Sequence, residues 1–297
     1  PASAVSAANG QVSANWKLGP AAGAQSLTLT ASGLSGSPLT VNATALAVAA
    51  SKLVMTTAPA SGQAGSVLPA VADTAQDALG NTATTFTGDV SVAIGNNPGS
   101  ATLAGTTTVK AVNGVATFAD LSLNRPGTAY TLIFSGSGLS SAASTSFDIA
   151  TGSAAKLVFG PMTSTADAGI AMGSVLVTAQ DAVGNTVTSF TGAVTVAIGN
   201  NPGASTLSGT LTRTAVAGVA TFNDLSLEKK GASYTLTASA TGLTGGTSAA
   251  FNVAPRAPTG LSIVSGNGQT AAAGSQLSVI TVRLRDAFNN SIDGASI

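Results

Sequence analysis

The chain has 297 residues, of which only 7% are charged, and its 11 basic and 11 acidic side chains cancel to a formal net charge of zero. It contains no histidine and no cysteine, so the commonest acid/base residue, the thiolate nucleophile and the usual ligands of zinc, copper and iron are all missing. Lys and Arg scattered through a neutral chain give no electrostatic footprint for nucleic acid, and no apolar run reaches the roughly 18 residues of a membrane span.

Glutamate occurs once, at Glu228, so any Glu-containing catalytic pair would have to use it. Absence of cysteine suits a cytosolic protein and equally a bacterial surface protein that avoids disulfides. The chain is rich in Ala, Gly, Ser and Thr, yet its mean hydropathy is positive. Disorder needs low hydrophobicity and high net charge, so this chain is expected to fold.

Taken in chain order, residues 1–48 carry "ANWKLGPAAGAQSLTLTASGLSGSPLTVNATA" (Ala14–Ala45), which corresponds only to the back half of a unit that occurs twice, complete, in the middle of the chain. Residues 51–150 and 155–254 are those two copies, matching at a constant offset of 104 without a gap, about half of the positions being identical. "TAQDALGNTATTFTG" (Thr74–Gly88) returns as "TAQDAVGNTVTSFTG" (Thr178–Gly192), and "GVATFADLSL" (Gly114–Leu123) as "GVATFNDLSL" (Gly218–Leu227). A period this long predicts tandem whole domains, because solenoid repeats run to roughly 20–50 residues.

Within each repeat, Val90, Val92 and Ile94 alternate with small residues, as do Val194, Val196 and Ile198. Tyr130, Leu132 and Phe134 place three large side chains on one face, and Phe147 and Ile149 do the same near the repeat's end. Period-two alternation predicts strands with one buried face, and Gly, Asn and Pro punctuation every 8–12 residues predicts an all-β sandwich of about seven strands. No segment shows a helical stripe. Residues 257–297 read as a front half, with "RDAFNN" (Arg285–Asn290) standing where "QDALGN" and "QDAVGN" stand in the repeats, and the chain stops at Ile297 inside an expected strand.

Two readings of the half repeats stay open. They are a window on a longer array, or the front half of one subunit completes the back half of the next by strand exchange.

Trp16 to Ala31 ("W-x-L-G-x-x-A-G" with "L-T-L-T-A"), Val264 to Gly274 ("VSGNGQ" with "AG") and the "DA-x-GN" turns resemble the Big-1 group of bacterial immunoglobulin-like domains, as in invasin- and intimin-type surface proteins. The central repeats lack the Trp signature. The resemblance implies tandem immunoglobulin-like β-sandwiches in an elongated array, exported as stalks or adhesins at the bacterial surface. It also implies that a host or glycan ligand, if any, binds through a distal region not present here.

Each candidate site has a plain structural role to compete with. "IGNNPG" (Ile94–Gly99, Ile198–Gly203) lacks the Lys and the helix of a phosphate loop and the carboxylates of a calcium loop, so a strand connection is expected. Asp77, Asp181 and Asp286 recur at one position of three turns. A turn cap explains them, and an interdomain calcium site would need partner carboxylates. Asp73 is near the first, but Val177 replaces it in the second repeat. Asp120 and Asp224, with Lys52 and Lys156, suit an isopeptide crosslink only if a buried pocket and a third carboxyl are supplied. The Thr-rich stretches read as ordinary exposed strand faces.

The sequence therefore nominates no catalytic, cofactor-binding or metal-ligating residue. Its expected partners are other copies of itself or neighbouring repeats, with no nucleic acid. Two classes are in contention: a stalk or adhesin spacer, forming isolated rods, and a filament, sheath or surface-layer subunit with extensive contacts. The sparse charge favours lateral packing or glycosylation. The linkers "ATGSA" (Ala150–Ala154) and "APRAP" (Ala254–Pro258) are short, and proline stiffens the second. A carbohydrate-binding module would want exposed aromatics, and the chain has one Trp and two Tyr.

Overall fold

In a computed structural model, which describes residues 4–293, the chain forms two compact units, Pro1–Ala150 and Thr151–Ile297. All regular structure among the described residues is β. The strand expected to run into Ile297 lies outside the described residues.

The first unit opens with an antiparallel hairpin, Gly23–Leu29 against Leu39–Ala45. Beyond it, Val71–Gln76 lies between Lys52–Thr57 and Val115–Phe118 in a three-stranded antiparallel sheet. Facing it, a four-stranded sheet runs in the order Ala142–Ala143, Leu132–Gly136, Asp89–Ile94, Thr108–Lys110. A third sheet joins Gly127–Tyr130, Phe147–Ala150 and Gly62–Gln63, the last pair being parallel.

Alternation explains what is inside. Phe134 stands opposite Val92 and Leu132 opposite Ile94, and these side chains meet Leu53, Val71, Phe118, Phe147 and Ile149 in one core. Each large apolar side chain so buried contributes about 1.5–3 kcal/mol. The second unit repeats the plan, with Val175–Gln180 between Lys156–Phe159 and Val219–Phe222, and a core of the same kind around Val177, Val194, Val196, Phe222, Tyr234, Leu236 and Phe251. It closes with the hairpin Gly260–Ser265 and Thr281–Arg285.

The strand count is a correction. About seven short strands were expected per repeat; twelve lie between Lys52 and Ala150. The reason is visible at Thr131. Tyr130 pairs with Phe147 in one sheet, whereas Leu132 pairs with Ile94 in another. Both side chains reach the core, as the alternation predicts, but the strand changes sheets between them. The change needs a bulge in which Ala129 takes φ 65° and Ser233 takes φ 67°, a region that L side chains seldom adopt. Hydrogen bonds hold it there. The Ala129 N–H donates to Asp148 Oδ1 at 2.8 Å, and its carbonyl accepts from the Asn96 side chain at 2.7 Å.

One residue contradicts the pattern of the core. Asp73 is fully buried at the position that Val177 fills in the second repeat. Its Oδ1 accepts the Thr74 N–H at 3.0 Å, and its Oδ2 has no partner. Burial pushes this carboxyl up to about 6, against the pull of the Thr74 and Val54 N–H groups. The pairing register beside it is also irregular, shifting between Met55 and Thr57.

Because the folded state holds this proton more tightly than the unfolded chain does, the contribution of Asp73 to the stability of the first repeat is most favourable below the ordinary aspartate range. It weakens as pH rises from about 3.8 to 6. Asp73→Val should therefore raise the stability of the first repeat at pH 7 by about 2–3 kcal/mol and flatten this part of its pH profile. Denaturant melts of the two chains from pH 4 to 7 check it; an unchanged or lower midpoint would contradict the burial argument.

Candidate functional site: an aspartate clasp at three turns

The twice-written "IGNNPG" loop turns its polar groups inward. The Asn97 side chain accepts the Ala101 N–H at 2.7 Å and donates to the Ala101 carbonyl at 2.9 Å. The Asn96 N–H donates to Thr131 Oγ1 at 2.8 Å. In the second repeat Asn201, Asn200 and Thr235 make the same bonds. Under the loop, the buried Tyr130 hydroxyl donates to the Arg125 carbonyl at 3.0 Å, as Tyr234 does to Lys229 at 2.9 Å. A Cβ at Gly99 or Gly203 would run into these hydroxyls, so glycine is required there by close approach. The loop is a tightly bonded strand connection around a tyrosine.

The recurring aspartates are more informative. Asp77 is fully buried, and both of its oxygens are engaged. Oδ1 accepts the N–H groups of Leu79 and Asn81, each at 2.9 Å, and Oδ2 accepts the Asn81 side-chain amide at 3.0 Å and the Val48 N–H at 3.2 Å. Asp181 repeats this with Val183, Asn185 and Gly152, and Asp286 with Phe288, Asn290 and Arg256. Three of the four donors belong to the turn itself, as an aspartate cap predicts. The fourth is the backbone of the linker that precedes each repeat. One carboxylate therefore both closes a turn and ties down a linker.

The electrostatics follow from those donors. The Asn81 side-chain bond, with the N–H groups of Asn81, Val48 and Leu79, holds Asp77 below the usual carboxylate range despite burial. At Asp181 and Asp286, burial alone would raise the pKa, but the side-chain and backbone donors outweigh it, and both carboxyls lie low. N–H groups surround each carboxylate, and they repel a cation. No group of three or more Asp, Glu, His or Cys that could hold a metal ion occurs among the described residues.

The asparagine four residues on completes the device. The Asn81 side chain accepts the Ala22 N–H at 2.8 Å and donates to the Pro20 carbonyl at 2.9 Å. Asn290 accepts the Lys230 N–H at 2.9 Å and donates to the Glu228 carbonyl at 2.7 Å. Pro20 and Ala22 lie three and one residues before Gly23; Glu228 and Lys230 lie three and one before Gly231. Two Asn side chains thus read equivalent positions of the preceding loop. In the second unit, Lys229 Nζ also donates to the Phe288 carbonyl at 2.8 Å and Lys230 Nζ meets Asp293 at 2.9 Å. Phe288 fills the space that a Cβ on Gly169 would take. Sequence reasoning found the aspartates but missed the asparagines. Their signal was Asn81, Asn185 and Asn290 at a fixed spacing from the aspartates while two of the three residues between vary.

The remaining candidates take structural places. Asp120 accepts the Thr106 N–H at 2.9 Å and hydroxyl at 2.8 Å. Asp224 binds Thr210 in the same way and lies 3.6 Å from Arg213. These carboxylates bridge two turns through threonine, in exposed positions, whereas Lys52 and Lys156 lie in the edge strands Lys52–Thr57 and Lys156–Phe159. Tyr130 and Tyr234 are in the cores and Trp16 is half-buried.

No family model matches the chain, and no curated protein matches it. Among solved structures, the chain is similar to the bacterial integrin-binding protein invasin, at 16% identity over 82% of this chain and 48% of that one, with a TM-score of 0.32. It is similar to domains 4–9 of the surface layer protein SbsC, at 18% identity over 82% of this chain and 37% of that one, with a TM-score of 0.27. A β-glycosidase from Bacteroides vulgatus gives 13% identity over 69% of this chain and 25% of that one, with a TM-score of 0.30. The chain thus spans from a quarter to about half of these proteins. At such scores the all-β architecture rests on the strands themselves.

Asp181→Ala in the full chain leaves four N–H groups without their acceptor, which should cost about 2–4 kcal/mol. Amide exchange at Gly152, Val183 and Asn185 should accelerate together. Since the folded carboxyl lies below its unfolded value, the clasp's contribution is complete above the ordinary aspartate range and fades as pH falls below about 3.8. Exchange that stays slow at Gly152 in the variant would show that the linker is held by something else.

Proposed function

We propose that this chain is a non-enzymatic structural segment of a bacterial extracellular surface protein, related to the Big-1 immunoglobulin-like domains, in which the repeats act as stiffened spacers. The observation that carries the reading is the threefold clasp. Each carboxylate fixes the linker entering a repeat, and two of the asparagines fasten the turn to the loop before it. Such a joint restricts bending without any ion or ligand. Its polar groups are consumed by backbone partners, so the turns present none of the convergent free donors, acceptors or perturbed bases of a catalytic site. Invasin binds integrin, and a spacer carrying such a ligand-binding tip is one use of this architecture.

A second reading, a subunit that assembles with its own kind, is supported by the sparse charge of the chain, only 7% of its residues, which leaves the outward strand faces to small and uncharged side chains. In either reading the repeats have the same mechanical role.

The spacer role is tested by stiffness. The chain has no cysteine, so Thr241→Cys and Ser265→Cys place two spin labels cleanly within the second unit. A narrow distance distribution is expected, broadening when Asn290→Ala removes both bonds to Glu228 and Lys230. A distribution already broad in the parent chain would sink the proposal. Surface labelling of intact source cells with an antibody to the repeats checks the location.

A further inference from the structure

Among the described residues every ladder is antiparallel except two, and both join the entering segment of a complete repeat to its last strand. In the first repeat Gly62–Gln63 runs parallel to Ile149–Ala150. In the second, Thr165–Asp167 runs parallel to Asn252–Ala254. The strand before each of these is also tied in a parallel sense, Lys52 to Ser140 and Lys156 to Thr244. There the Leu53 N–H donates to the Ser140 carbonyl at 2.9 Å, and the Ser140 N–H to the Ser51 carbonyl at 3.0 Å. Leu157, Thr244 and Ala155 make the same two bonds at 2.9 and 2.8 Å.

This direction matters because the repeats are threaded in series. Tension along the chain draws the first repeat backward at Ser51 and forward at Ala150. Between parallel strands that pull slides one past the other, and all the bonds between them resist at once. Were the first and last strands antiparallel, the pulled ends would be adjacent, and the bonds would open one after another. The last strand is also anchored: Phe147, Ile149, Phe251 and Val253 lie in the cores, each at most 4% exposed.

The two repeats complete this pairing differently. At one end they agree, the Ala64 N–H donating to the Ala150 carbonyl at 2.8 Å and the Ala168 N–H to the Ala254 carbonyl at 2.9 Å. At the other end the Asn252 N–H donates to the Ser164 carbonyl at 2.9 Å, whereas its counterpart Asp148 donates to the Ser61 hydroxyl at 3.0 Å. An exposed serine side chain thus supplies a bond that the backbone supplies in the second repeat. The second repeat's pairing is also one residue pair longer.

We propose that each complete repeat is a tension-bearing element, and that the parallel pairing of its entering segment with its last strand is the part that resists the pull. The proposal rests on the spacer reading and deepens it, adding resistance to extension to resistance to bending. Forced unfolding is governed by the unfolding rate. Bonds in this pairing therefore weigh more under tension than bonds of equal strength elsewhere.

The test holds the full chain by its two ends at constant force. Two sharp steps are expected, each releasing about 330–360 Å of chain contour for a repeat of roughly 100 residues. The first repeat, whose pairing is shorter, should yield before the second. Ser61→Ala should raise the rate of the earlier step about two- to tenfold, the weight of one hydrogen bond, and leave the later step unchanged. Thr106→Ala removes another exposed hydroxyl bond, to Asp120, outside the pairing. It should shift the denaturant midpoint much as Ser61→Ala does, yet leave both rates where they were. A parent that extends without two such steps overturns the proposal, as does an earlier step that Ser61→Ala leaves unchanged or that Thr106→Ala speeds equally. The spin labels report bending at zero load, so a broad distance distribution would sink the stiff joint without altering these steps, and the two readings fail separately.

Discussion

A buried carboxylate with four N–H donors is the constraint on which the rest of this structure depends. A charge cannot be taken out of water unless its hydrogen bonds are replaced, and Asp77, Asp181 and Asp286 replace theirs entirely from the turn and the incoming linker. That requirement works in both directions. The carboxylate is tolerable only when the linker lies against the turn, and the linker's own N–H is satisfied only by the carboxylate. The position of each repeat relative to the chain entering it is therefore set by a local electrostatic need.

The sandwich above the clasp is built from small, repeated decisions. Valines and aromatics alternate inward, and the loops consume their own polar groups through Asn and Thr side chains. The tyrosine hydroxyl under each "IGNNPG" loop sits where the strand changes sheets, and the glycine above it gives up its side chain to make room. The positive-φ residue beside that tyrosine is the local strain of the arrangement, and it is offset by bonds to Asp148 in the first repeat and Asn252 in the second.

Much of this was legible in the sequence, and what was not has a physical reason. Period-two alternation at Val90, Val92 and Ile94 identifies an inward face because side-chain direction follows from strand geometry. The Asp-to-Asn spacing announces a turn because the short carboxylate reaches its own backbone. Alternation cannot show that a strand changes sheets at Thr131, since both sheets present the same period to the core. Nor could the partner of Asn81 or Asn290 be read, because a side-chain amide donates and accepts at once and its partners, Pro20 or Glu228, offer only main-chain groups that every residue carries. Asp73 misleads in the opposite way: the repeat offset sets it against Val177, but a charged residue in an alternating strand looks exposed, and only the three-dimensional packing shows that the position is buried.

The chemical nature of the clasp has a further consequence. Its attractions run between one carboxylate and neutral amide dipoles in a dry site. The ion pairs Lys110–Asp89, Arg213–Asp224 and Lys230–Asp293 each have at least one well-exposed partner. Salt screens exposed charges over a Debye length of about 8 Å at physiological ionic strength, while buried dipolar contacts are hardly affected. A joint made this way keeps its geometry in dilute water and in brine alike.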